Sequence, residues 1–197
     1  MNVVEIKAKK PCTYEVLRYM RAGKYPDSDI VLSAEAAIDR VYAVAKARGC
    51  YMRCALELLG EGKIKVGALE FESESLETRL SGCSEAYIFA VTVGSEVDRI
   101  IRAESAKSSL LGLCAAAAGS AMVESACDEL NEQIDVACRG EGKKIKSRFS
   151  AGYGDLSIDY QEDICRLLDT KKNIGVALVG TGMMTPTKSV TAIIGVY

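Results

Sequence analysis

This sequence predicts an α+β domain, and three observations carry the prediction. Stretches with helical spacing outweigh those that alternate as strands. The strands do not alternate one-for-one with helices, as a βαβ chain would require. A Gly-rich loop near the end, Gly180-Thr181-Gly182, has too little chain behind it (residues 183–197, interrupted by Pro186) for a crossover helix and a parallel strand. It reads as a loop between two final strands, not as a dinucleotide-binding turn.

Residues 3–8 are read as a short strand, which Pro11 ends, and Thr13 caps a helix over 14–21. Gly23, Pro26 and Asp27 mark a turn. Ser33 caps a second helix with Ala37, Val41, Val44 and Ala45 on one face, running to Gly49 or a little beyond. Residues 63–72 alternate as a strand, and 85–94 (EAYIFAVTVG) form a stronger one that Gly94 stops. Ser95 opens a helix to about Ser105. A long helix follows over 108–138, with an apolar stripe at Leu110, Leu113, Ala117, Ala121, Leu130, Ile134 and Ala137. Its small-sided run 114–121 (CAAAAGSA) admits close approach by a neighbouring element or a ligand. Residues 139–147 are charged and read as a loop; a helix over 159–168 and strands over 173–179 and 189–196 complete the chain. The organisation expected is a helical arm or subdomain over 1–80 packed on a core over 81–197, the whole forming one structural domain.

The 197 residues are 49% hydrophobic and 26% charged, enough to bury a core. A net charge of -2 supplies no basic surface, so neither nucleic acid nor an anionic membrane is an expected partner. The opening MNVVEIKAKK lacks the order of a signal peptide, and no run is read as reaching the ~18–20 uncharged residues of a membrane helix. A cytoplasmic location is the expectation. Eight cysteines are scattered, and without a signal sequence no disulfide is expected. Only Cys50 and Cys54 are close, and Glu57 stands where a third cysteine would complete a radical-AdoMet (S-adenosylmethionine) cluster. The pair reads as two buried thiols one turn apart in a helical run, with no metal.

The chain has no histidine. That removes Ser-His-Asp and Cys-His hydrolysis, His-ligated zinc and the commonest general base near neutral pH. It also removes a histidine ligand for haem or cobalamin. Any chemistry rests on carboxylates, Tyr, Lys, Arg or a cofactor held by another chain, and no catalytic residue is assigned.

Three features could carry a site. In RFSAGYGDL (148–156), Gly152 and Gly154 flank Tyr153, so the backbone can take a positive φ and lie close to a ligand, while Arg148 offers a planar fork suited to a carboxylate. A Gly-rich connecting turn with an exposed tyrosine has the same composition. Glu124 borders the apolar stripe of the long helix, three residues after Ala121, where an acid can meet a cationic ligand or simply face water. The third, VALVGTGMMTP (176–186), is the loop already rejected as a Rossmann turn.

Taken together, Arg148, Gly152, Tyr153, the QEDICRLLD helix, Ile174-Gly175-Val176, Met183-Met184, Pro186 and Ser189-Val190-Thr191 stand in the order and spacing of a known pattern. They resemble the C-terminal activation (reactivation) domain of cobalamin-dependent methionine synthase. TVGSEVDRIIR (92–102), AAGSAMVESA (117–126) and EVLRYM (15–20) are similar to segments of its separately encoded, stand-alone form. The resemblance implies a central antiparallel sheet with flanking helices, distinct from Rossmann methyltransferases. It implies an AdoMet-binding subunit that supports reductive methylation of cob(II)alamin on a partner methionine synthase lacking its own activation domain. The electron comes from a flavodoxin-like or other low-potential donor, and cobalamin enters only through the partner chain. Residue by residue, Arg148 would grip the AdoMet carboxylate, and Ser150, Gly152 and Tyr153 would line the cleft. Glu124 would face the ammonium or sulfonium side, and Met183, Met184 and Pro186 would belong to a loop able to approach the corrin.

Some positions depart from that pattern. Val179-Gly180-Thr181 replaces a Thr-acid-Ser segment, Ala151 replaces a proline, and the chain ends at Tyr197 without a C-terminal extension that adds ligand contacts in fused enzymes. Weaker AdoMet binding than in the fused form is therefore expected. The departure at 179–181 keeps open a second role, a non-catalytic docking or regulatory subunit of another corrinoid methyltransferase system.

Overall fold

The computed structural model describes residues 1–180 and 182–197. In chain order its first elements are β1 (Asn2–Glu5), α1 (Thr13–Tyr19), α2 (Ser28–Val44), β2 (Arg48–Gly60), β3 (Lys63–Val66), β4 (Leu69–Glu72), α3 (Glu74–Leu80) and β5 (Glu85–Thr92). The rest are α4 (Ser95–Lys107), α5 (Ser109–Gly140), α6 (Tyr160–Leu167), α7 (Thr170–Ile174), β6 (Ala177–Val179), β7 (Met183–Thr185) and β8 (Ser189–Val196).

One sheet organises the chain. Its strands run β4-β3-β2-β5-β8, and β1 pairs with the first part of β2 while β3 pairs with the last part. Every pairing is antiparallel. The fold is therefore α+β with a central antiparallel sheet, as the sequence predicted. Strand β5 is buried at every position after Glu85, because both faces of the sheet are covered. Successive side chains of a strand point to opposite faces. Tyr87, Phe89 and Val91 accordingly join the core beneath α1, α2, α4 and α5, while Ala86, Ile88 and Ala90 join the core beneath α3, α6 and α7. Each core draws residues from both sides of position 80.

Several element readings are corrected. Residues 48–60 are strand, not helix: Cys50 pairs with Ala90 and Cys54 with Ala86 in an unbroken antiparallel register with β5. The Met, Arg, Ala, Leu and Glu of that stretch favour a helix locally, but pairing on both edges outweighs their preference. The two thiols therefore sit four residues apart along a strand, Cys50 buried and Cys54 half-buried. Helix α2 starts at Ser28, with Asp27 at its N-cap, and ends at Val44. Residues 63–72 fold as a hairpin, with Gly67 at φ 60° between β3 and β4. The stretch read as a strand over 173–179 is the end of α7 followed by the short β6, and β6 pairs antiparallel with β7. The expected loop at 180–182 joins those two strands, with Thr181 outside the described residues.

Helix α5, 32 residues long, is buried over much of its circumference between Cys114 and Cys127, since α1, α2, α4 and the sheet all pack on it. By length and composition it could cross a membrane, contrary to the sequence reading, but 61% of its apolar stretch is buried within the fold. Its small residues serve neighbouring elements. A Cβ on Gly119 would stand 3.1 Å from Val97 of α4 and 3.1 Å from the stem of Lys188. Leu110, Leu113 and Ala137, assigned to the buried stripe, are exposed, while Gly112, Cys114, Ile134 and Cys138 beside them are buried, so the packed face at both ends is rotated from the one the spacing suggested.

Candidate functional site

A cleft of about 420 Å³ opens where a chain segment leaves the edge of the sheet. Residues 144–149, of which 144–147 were expected as loop, run antiparallel along the outer edge of β8. Lys144 N–H donates to Tyr197 O at 2.8 Å, Lys146 N–H to Gly195 O at 2.9 Å, and Phe149 and Ile193 exchange both main-chain bonds. After Phe149 the chain turns away, with Tyr153 N–H on Ser150 O and Gly152 N–H on Leu156 O. The edge of β8 over Ser189, Val190 and Thr191 is left open and forms one wall of the cleft. Main-chain groups of an antiparallel strand alternate between its two edges. Ile193 bonds outward to Phe149, so Thr191 also presents its N–H and C=O outward. The Thr191 hydroxyl is buried and has no partner among the described residues.

Opposite this edge stands an ion-pair cluster on α5. Glu124 and Asp128 lie one turn apart and so share a helix face. Arg148 reaches both, with Nη2 2.5 Å from Glu124 Oε2 and Nη1 2.6 Å from Asp128 Oδ1. Asn131, turned so that both ends of its amide are satisfied, accepts a further bond from Nη1 at 2.7 Å. Burial alone would lower the Arg148 pKa, but the hydrogen bonds to Asp128 and Glu124 outweigh it and raise it, so the guanidinium is always charged. The Arg148 side chain is 23% exposed, Glu124 37% and Asp128 69%. Glu124 and Arg148 also line a second cleft of about 440 Å³, walled by Asp128 and by Tyr19 at the end of α1. Burial, and then the negative charge of Glu124, push the Tyr19 phenol up.

The tyrosine turn closes the site on one side. Gly152 has φ 88° and Gly154 φ 56°, values that favour glycine. The turn is pinned from behind by Asp155, which accepts from Ser73 Oγ at 2.5 Å and from the Glu74 and Ser75 N–H groups at the start of α3. Led by the Ser73 bond, these contacts hold the Asp155 carboxyl down at about 2. Tyr153 is left 67% exposed at the rim. On the other flank Gln161, from α6, donates to Gly182 O at 2.6 Å and fixes the β6–β7 hairpin, whose Met184 reaches the cleft.

Of the residues read from the sequence, Glu124, Arg148, Ser150, Tyr153 and Met184 line one cleft. Gly152 shapes the turn without lining the wall. Met183 is 69% exposed at the hairpin, whereas Pro186, assigned to the same corrin-facing loop, is buried and cannot present itself to a partner. Asp128, Tyr19, Asp155, Gln161 and Thr191 are given no role in the sequence reading. Only Asp128 carried a local signal, as the second acid at helical spacing in VESACDEL. Asp155 lies in the tyrosine turn itself, while Tyr19, Gln161 and Thr191 arrive from other elements. No group of three or more metal-ligating side chains gathers among the described residues.

No protein-family model matches the chain, and no curated protein matches it by sequence. Among solved structures it is similar to the MetH reactivation domain crystallised with AdoHcy (S-adenosylhomocysteine), with a TM-score of 0.70 at 17% identity. The match covers 99% of this chain and 78% of that one. At such low identity the likeness speaks for architecture, and on that ground the chain has the fold of the MetH reactivation domain.

Proposed function

We propose that this chain is an AdoMet-binding reactivation subunit that supports reductive methylation of cob(II)alamin on a partner methionine synthase: once one electron has reduced the cobalt, the methyl group of AdoMet would pass to the corrinoid and AdoHcy would leave. The observation that carries the reading is the cleft at the β8 edge, where a carboxylate-gripping arginine, an acid, an aromatic ring and unpaired strand groups converge. Its fold is shared with a domain crystallised with AdoHcy. In this reading Arg148 binds the carboxylate of the amino-acid tail, and Glu124 faces the ammonium or the sulfonium. The open N–H and C=O of Thr191 suit the donor–acceptor edge of adenine, and the ring of Tyr153 covers the nucleoside. Ser150 lines the floor.

The corrinoid supplies the methyl acceptor, and a flavodoxin-like or other low-potential donor supplies one electron. This chain contributes proximity and orientation, turning an encounter between two large molecules into a preset geometry. The chain has no histidine to offer cobalt, in keeping with a corrinoid and axial ligand held by the partner. Met183 and Met184 stand on the hairpin beside the cleft and would meet it.

The test mixes the chain with a cob(II) methionine synthase lacking this domain, a low-potential reductant and methyl-labelled AdoMet. Label is expected on the corrinoid with the unmutated chain and is expected to vanish with Arg148→Ala. No label with the unmutated chain would overturn the reading.

A further inference from the structure

We infer that Arg79 is a second binding residue for the ligand's carboxylate, alongside Arg148 in the β8-edge cleft. This rests on the cleft being an AdoMet site. Three charged residues line the cleft, Arg79, Glu124 and Arg148, and they reach it from both sides of the sheet. Glu124 stands on α5, which packs on one face, and Arg79 on α3, which packs on the other. The charge on the two sides is unbalanced in opposite senses. On the α5 side, Glu124 and Asp128 bracket the single guanidinium of Arg148, so that cluster holds one surplus negative charge. On the α3 side, Arg79 donates to Ser147 Oγ, a neutral group, and pairs with no carboxylate among the described residues.

A guanidinium has five N–H groups, and on Arg148 Asp128, Asn131 and Glu124 take three of them. The other two can still grip a carboxylate side-on. A carboxylate docked there gains hydrogen bonds but also meets the repulsion of two acids. Arg79 supplies the charge that offsets them, giving the site two cations against two acids. A ligand with a carboxylate, an ammonium and a sulfonium is then matched group by group, its positive groups facing α5 and its carboxylate drawn toward α3. The Arg79 side chain is exposed and tied by one hydroxyl, so it can turn onto a ligand without leaving a buried acid unpaired. The labour is divided: Arg148 lends the geometry of its fork, and Arg79 lends charge.

The experiment is titration calorimetry of the unmutated chain, Arg79→Ala and Arg79→Lys with two ligands, AdoMet and its decarboxylated analogue. Arg79→Ala should weaken AdoMet about three- to tenfold, the worth of a charge-assisted bond at an exposed rim. The analogue carries only positive charge, so its affinity for Arg79→Ala should hold or rise. Arg79→Lys should stay within about twofold of the unmutated chain for AdoMet, because the charge is kept. Unchanged AdoMet affinity in Arg79→Ala overturns the assignment, and so does an equal loss for both ligands, the mark of a residue that only braces the fold. Arg79→Lys as weak as Arg79→Ala overturns it too. If the unmutated chain binds neither ligand, the AdoMet reading itself fails; if it binds AdoMet and the Arg79 variants match it, only the role of Arg79 falls.

Discussion

Arg148 is the residue on which the site turns, and its worth lies in geometry as much as in charge. Its planar fork spans two carboxylates and an amide on α5, which the single ammonium of lysine cannot do. Arg148→Lys should keep the fold and lose about tenfold or more in AdoMet affinity by calorimetry, the cost of a charge-assisted bond to the ligand. Asp155 illustrates a different kind of control. Its folded-state pKa of about 2 lies below the ordinary value of 3.8, so its tether to α3 is stabilising above that ordinary value. The contribution is lost as pH falls from about 3.8 toward about 2. The protection of the Glu74 and Ser75 amides, measured against their intrinsic exchange at each pH, should fall across that window in the unmutated chain and be low throughout in Asp155→Asn. Exchange that is slow in the variant would remove Asp155 from this role.

At the scale of the element, the tyrosine turn owes its shape to two glycines and one anchor. Gly154 cannot take a side chain cheaply, because a Cβ would stand 2.9 Å from Ser75 Oγ and the backbone there has φ 56°. Gly154→Ala should cost about 1–2 kcal/mol in thermal or chemical unfolding and weaken AdoMet binding through the displaced Tyr153. Loss of stability without loss of affinity would show that the turn braces the fold but not the ligand. The same scale explains where sequence reading failed. The β2 stretch carries residues suited to a helix, and its strand state is decided by β1, β3 and β5 along its two edges. Residues 144–149 look like a charged loop because their partner, β8, lies some fifty residues on in the chain.

Across the whole molecule, one sheet separates two apolar cores, and Phe89 in β5 is the largest side chain buried to under 2% exposure. Phe89→Ala should cost about 3–5 kcal/mol in denaturant titration, a large share of the ~5–15 kcal/mol that holds a domain together. Placing the site at the rim of this doubly covered sheet gives it a rigid wall. The β8 edge cannot shift without disturbing both layers, whereas the polar ties of the Tyr153 turn and the β6–β7 hairpin to the rest of the fold include Asp155 and Gln161, both near the surface.

By itself the sequence determined the class of fold, the strong central strand, the long small-sided helix and most of the charged and aromatic groups around the cleft. These are local properties: β-branched alternation over 85–92, helical spacing over 109–140, and the glycine-flanked Tyr153 are each legible within a short window. The tertiary structure decided the rest. Which edge of the sheet stays open, which acids hold Arg148, and which side chain from α1 stands beside Glu124 all depend on contacts between residues far apart in the chain. Pairing energy that arises only when distant segments meet leaves no periodic trace in either one, so the open strand edge and the acids that hold Arg148 had to be seen in space.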